Sequence, residues 1–175
     1  MRAMQLAAPA PIATRPLSLV ERDAPRLAEG EVRVRVEVCG VCRTDLHVVE
    51  GDLAPHREFL VPGHQVVGRV VEVRGDGPLA TGDRVGVAWL NRACGVCRFC
   101  VRGAENLCTS PRFTGWDCDG GYAEEVAVPA EFAYCALRAQ SGVSSSSPPV
   151  RRNVHVWSPP LVTSTKPEGT SFRKR

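Results

Sequence analysis

The sequence predicts a mainly β domain over residues 1–134, followed by a basic, low-complexity tail over 135–175 that is expected to be disordered. Three observations carry this reading: short β-branched segments separated by turn residues, one short helical candidate, and a composition that changes after Tyr134. The chain has 175 residues, 43% hydrophobic and 23% charged, enough for one ordinary core. Its net charge of +3 hides a split: residues 1–134 hold 15 Arg and no Lys against 18 acidic residues, net −3, whereas 135–175 are net +6. Serine follows the same divide, with only Ser18 and Ser110 before residue 135 and eight after it.

The first strand follows the turn Glu29-Gly30: Val32, Val34, Val36 and Val38 alternate with Arg33, Arg35 and Glu37, the period of a half-buried strand. A short helix is expected around Thr44 to Val49. A second strand, Val66 to Val73, is β-branched and ends at Gly75-Asp76-Gly77-Pro78. A third, Arg84 to Trp89, follows Thr81-Gly82-Asp83, and a fourth, Tyr122 to Val128, runs from Gly120-Gly121 to Pro129. Strands of this length and spacing suit a small barrel or irregular sheet.

The tail offers no such pattern. Ser144 to Ser147 form a serine run, two Pro-Pro pairs break any helix, and the end is Arg173-Lys174-Arg175. It has no aromatic interleaving and no amphipathic face, and residues 1–134 are net acidic, so neither nucleic acid nor membrane is expected as a partner. No apolar run is long enough for a transmembrane helix. Pro9, Pro11 and Pro16 interrupt the N-terminal region where a signal peptide would need its apolar stretch, so the expected location is the cytoplasm.

Cys94, Cys97, Cys100 and Cys108 form Cys-x2-Cys-x2-Cys-x7-Cys within a single loop. Four thiolates so close in sequence can close around one tetrahedral ion, and zinc suits four sulfurs. With every position filled by protein, such an ion is structural. Arg92, Arg98 and Arg102 are expected to offset the net negative charge of the cluster. Two disulfides or an iron–sulfur cluster are the alternatives, and adjacent Cys-x-x-Cys pairs in a reducing compartment weigh against disulfides.

A second group is Cys39-Gly-Val-Cys42-Arg43-Thr44-Asp45-Leu46-His47, followed by Gly63-His64-Gln65. A thiolate and an imidazole from separated segments suit a catalytic zinc that keeps an open position. Thr44 and His47 add a hydroxyl and an ionisable ring able to move a proton. Asp45 could accept a hydrogen bond from the second ring nitrogen of His64. On residue chemistry alone, Cys39 or Cys42 could equally be a small buried hydrophobe and His47 a solvated side chain.

Taken together, the two groups resemble the zinc-dependent alcohol dehydrogenases of the medium-chain dehydrogenase/reductase family. The resemblance runs from about Met4 to Tyr134 and includes Gly82-Asp83-Arg84-Val85 and Gly120-Gly121-Tyr122-Ala123-Glu124. It implies a GroES-like β-barrel with a structural zinc lobe. It further implies that Cys42, rather than Cys39, and His64 are ligands of a catalytic zinc. Thr44 would then hydrogen-bond the alcohol, His47 would pass its proton toward solvent, and Arg43 would approach the pyrophosphate of NAD(P). The implied reaction is oxidation of an alcohol to an aldehyde or ketone, with hydride transfer to the nicotinamide.

Gln65 stands where the family usually has glutamate, and Arg74 where it prefers a small residue. Members of the family are about twice this length and carry a Rossmann domain, whose Gly-x-Gly-x-x-Gly this sequence lacks. One further cysteine ligand comes from that region in the family, and the spare Cys118 and Cys135 stand in no matching context. The expectation is therefore a truncated catalytic domain, inactive alone, with a tail of unselected sequence after an interrupted reading frame. The alternative is a non-catalytic zinc-binding interaction module that pairs with a full-length relative.

Overall fold

The computed structural model describes residues 1–135; the rest of the expected tail lies outside the described residues. The strands in chain order are β1 (Arg2–Leu6), β2 (Leu17–Glu21), β3 (Glu31–Gly40), β4 (Gln65–Val73), β5 (Arg84–Val87), β6 (Leu90–Arg92), β7 (Arg112–Phe113), β8 (Glu125–Pro129) and β9 (Ala133–Cys135). The one α-helix among the described residues, α1 (Arg43–Glu50), lies between β3 and β4. None of the helices among them is long and apolar enough to cross a membrane.

A five-stranded antiparallel sheet, ordered β8-β3-β4-β5-β9, curls into a half-barrel around the core. Val32 and Val34 of β3 are fully buried and meet Val70 of β4 and Val126 and Val128 of β8. The valine alternation does not stay on this face to its end: Val38 is 54% exposed. The register shifts between Val36 and Val38, and a bulge there inserts one residue and turns the strand over. Beyond the bulge the inward position belongs to Cys39, which packs on the core cluster.

The third expected strand is shorter than Arg84 to Trp89, and a further strand follows it. β5 ends at Val87, and Leu90–Arg92 pairs instead with Arg112–Phe113, so that a two-stranded ribbon frames the cysteine loop. The fourth starts at Glu125 rather than Tyr122, because residues 122–124 bond to β1: Met4 N–H donates to Tyr122 O (2.7 Å) and Glu124 N–H to Arg2 O (3.1 Å). The β1–β2 hairpin had no sequence signal, since Arg-Ala-Met-Gln-Leu has neither a β-branched residue nor alternation. β9 pairs with β5 and ends the described chain at Cys135.

Arg74 sits in the turn after β4, where its guanidinium donates to Leu27 O (2.7 Å) and its backbone N–H and C=O bond to Glu31 and Gly30. A large residue there ties the turn to the segment leading into β3.

Candidate metal centres

In α1, Cys42 is the N-cap, and Asp45 reaches back so that Oδ2 accepts the Cys42 N–H at 2.8 Å. This local bond satisfies a donor that the helix end would otherwise leave open. It also holds Cys42 where its Sγ lies 3.3 Å from His64 Nε2. The other ring nitrogen of His64, Nδ1, lies 3.3 Å from Asp45 Oδ1, and both side chains are buried. Burial works to raise the Asp45 carboxyl, but the His64 side chain and the Cys42 N–H together hold it below its ordinary value.

Cys42, Asp45 and His64 thus each offer an atom within 4.8 Å of the others. Because Asp45 faces Nδ1, Nε2 and the sulfur are the pair free to take an ion, with Asp45 orienting the ring. Two such donors with room for more suit a catalytic rather than a structural zinc. Cys39 does not join them. Its sulfur packs against Gly63 and Gly121, and burial pushes its thiol up.

Thr44 is half-buried in the first turn of α1, whereas Arg43, the first helical residue, is exposed. His47 lies one turn further, its Nδ1 2.7 Å from Asp52 Oδ2, a partner the sequence reading did not foresee. Gln65 starts β4 with its side chain against Gly40. The sequence reading also missed an aromatic row. Trp89 meets His64 edge-on (4.8 Å), Phe113 and Trp116 stack on Trp89, and His56 stacks on Trp116 at 4.0 Å. Apart from Phe113 and Trp116 these rings come from distant segments, so no periodicity announces the row. A cavity of about 450 Å³ between Leu6, Pro9, Val48, His56, Leu60 and Trp116 adjoins the far end of this row, and no metal-site residue lines it.

The four sulfurs of Cys94, Cys97, Cys100 and Cys108 lie within 4.8 Å of one another. The Cys94–Cys100 and Cys97–Cys100 separations are 3.9 and 3.5 Å. Zinc–sulfur bonds of about 2.3 Å in a tetrahedron place sulfurs about 3.8 Å apart, so the cluster fits that ion. All eight cysteines are free thiols. Backbone amides stabilise negative sulfur here: Cys94 N–H and Ser110 N–H both donate to Cys108 Sγ at 3.3 Å. The Cys100 amide leads the groups that hold the Cys97 thiol down at about 5, while burial pushes Cys100 up.

The three arginines expected to balance this charge also have partners of their own. Arg92 pairs with Glu31 (3.2 Å), and Arg98 and Arg102 lie over the Phe99 ring at 4.6 and 5.8 Å. Because the amides point directly at the sulfurs, they supply a compensation that the sequence pattern cannot display.

Replacing Asp45 by Asn should weaken ion retention at Cys42 and His64 about 10–100-fold, the usual cost of losing an outer-shell partner. The cysteine cluster should be unaffected. Competition with a graded chelator measures both.

The model for the alcohol dehydrogenase GroES-like domain matches residues 28–137. "Probable alcohol dehydrogenase AdhA" of Mycobacterium tuberculosis is 53% identical over 152 residues, which make up 83% of this chain and 43% of that protein. An alcohol dehydrogenase of Geobacillus stearothermophilus is 48% identical over 118 residues, 66% of this chain and 35% of its own. Among solved structures, a thermostable alcohol dehydrogenase from Pyrobaculum aerophilum with cobalt and zinc bound aligns with a TM-score of 0.71. It is 35% identical and covers 77% of this chain and 40% of its own. A cinnamyl alcohol dehydrogenase from Sorghum bicolor aligns at 0.65 with 30% identity, over 77% of this chain and 40% of its own. The chain spans about two-fifths of the length of the curated relatives it matches.

Proposed function

The chain belongs to the alcohol dehydrogenase GroES-like domain family, and from that premise we propose that it is the zinc-binding catalytic domain of an alcohol dehydrogenase-type oxidoreductase. The observation that carries this reading is the approach of Cys42 Sγ to His64 Nε2 at 3.3 Å, with Asp45 on the opposite ring nitrogen. Zinc held there would polarise an alcohol oxygen, and NAD(P) would take the hydride as the alcohol becomes an aldehyde or ketone.

The chain's own residues handle the proton and the orientation. Thr44 hydrogen-bonds the alcohol and relays its proton, passing on its own hydroxyl proton as it accepts the alcohol's. His47, whose Nδ1 lies 2.7 Å from Asp52 Oδ2, passes that proton toward solvent. Arg43, exposed at the start of α1, is a fixed cation for a pyrophosphate. The cysteine lobe shapes the fold and takes no part in the chemistry. Hydride transfer by these 175 residues unaided is not expected, because the sequence has no Gly-x-Gly-x-x-Gly and the reacting carbons must be held in register. Eight free cysteines support a reducing compartment, and we assign the chain to the cytoplasm.

Zinc per chain, measured after saturation under reducing conditions, tests the reading. About two ions are expected, falling to about one in Cys42→Ser and in His64→Ala. A wild-type chain that holds one ion, unchanged by Cys42→Ser, overturns it.

A further inference from the structure

Among the described residues, two buried side-chain polar atoms make no hydrogen bond: Arg33 Nε and the Tyr122 hydroxyl. Arg33 Nε has a countercharge, the Glu125 carboxylate at 3.2 Å. The phenol, which water does not reach, has the Asp45 carboxylate beside it but no hydrogen bond of full geometry. A buried hydroxyl without a partner is costly, so its surroundings should supply an acceptor.

The chain pins Tyr122 beside the Cys42–His64 centre. Its backbone N–H donates to Pro62 O at 3.0 Å. Its ring packs against Gly63, so close that a Cβ there would stand 2.6 Å from Tyr122 Cδ1. Gly63 directly precedes His64. Burial first, and then the Asp45 carboxylate, push the phenol above its ordinary value, with Cys39 and Cys42 adding to this. A carboxylate has about four acceptor sites. Asp45 directs Oδ1 at His64 and Oδ2 at the Cys42 N–H, which leaves room for one more donor.

We propose that Tyr122 is a positioning residue for the metal centre: its phenol donates to Asp45 and completes a chain, Tyr122–Asp45–His64, that keeps His64 Nε2 turned toward the ion. The inference rests on the reading that Cys42 and His64 hold zinc. It gives Tyr122 a part in metal binding through two intermediaries.

The test uses the full chain with its cysteine lobe filled with zinc and the second site titrated with Co²⁺. Tyr122→Phe keeps the ring and removes only the hydroxyl. Its Co²⁺ affinity should fall about fivefold, less than the roughly 10–100-fold expected when the direct partner of a ligand is lost. The melting temperature without Co²⁺ should not move, which separates positioning from a structural role. In an Asp45→Asn background the same change should have no further effect, because the phenol acts through that carboxylate. Equal Co²⁺ affinity in Tyr122→Phe and wild type overturns the inference alone, as does a loss that persists in Asp45→Asn. A wild-type chain that takes up no Co²⁺ beyond the filled lobe overturns the underlying reading and the inference together.

Discussion

Replacing Cys108 by serine should empty the cysteine lobe while leaving the five-stranded sheet folded. Cys108 Sγ accepts two backbone N–H bonds at 3.3 Å, from Cys94 and Ser110, so its charge anchors both ends of the loop. Structural zinc contributes apparent free energies of about 10–16 kcal/mol in small peptides, so an even share for one of four thiolates is on the order of 3 kcal/mol. That lowers ion affinity by more than about a hundredfold. The lobe has little else to hold it, because Val96 is 82% exposed and Val101 68%, and neither packs in the core. The expected result is one fewer zinc ion per chain and new tryptic cleavage at Arg98 and Arg102, with the far-ultraviolet signal of the sheet retained. Full zinc retention in Cys108→Ser would show that the cluster does not hold the ion. Loss of the sheet signal would show that the lobe is integral to the core.

Gly120→Ala should be the most damaging single-methyl change in the domain. A Cβ there would stand 2.0 Å from Gly63 O, 2.8 Å from Pro62 O and 2.9 Å from Gly115 Cα. All three neighbours are backbone, so no side chain can rotate away. The same contact carries Gly120 N–H to Val61 O (2.7 Å) and Gly121 N–H to Gly63 O (2.8 Å), which the methyl would pry apart. Overpacking a core costs about 1–3 kcal/mol and occasionally more, and this contact belongs at the upper end. Since His64 follows Gly63, the second metal site should loosen as well, with ion affinity falling there and not in the lobe. Gly77→Ala is the control: its Cβ meets only Ala130 at 3.6 Å, and it should melt within about 1 kcal/mol of wild type. A Gly120→Ala protein with unchanged melting and unchanged metal content would refute the argument.

That contact explains two features of the sequence that look unrelated on the page. Gly63-His64 and Gly120-Gly121-Tyr122 are separate landmarks in the chain, yet they form one closely packed seam. The glycines let two backbones meet, and Tyr122 covers what they leave open. His64 is therefore placed by a segment far along the chain as much as by its own strand.

What the sequence alone determined is whatever depends on near neighbours. Four cysteines between residues 94 and 108 can reach one ion by local folding, and Asp45 can cap Cys42 three residues away. The mainly β class followed from valine alternation, and the candidate ligand pair Cys42–His64 from residue type with family resemblance. The tertiary structure decided what depends on register between distant segments. A bulge after Val36 turned Val38 out and Cys39 in, setting that sulfur against the core cluster. Arg92 found a partner in Glu31, and Trp89, Phe113 and Trp116 came together from separate turns and strands. The physical reason is one of range. Capping and chelation close short loops whose geometry the intervening residues limit, whereas one extra residue in a strand reverses every side chain beyond it, and only the paired strands reveal where that residue sits.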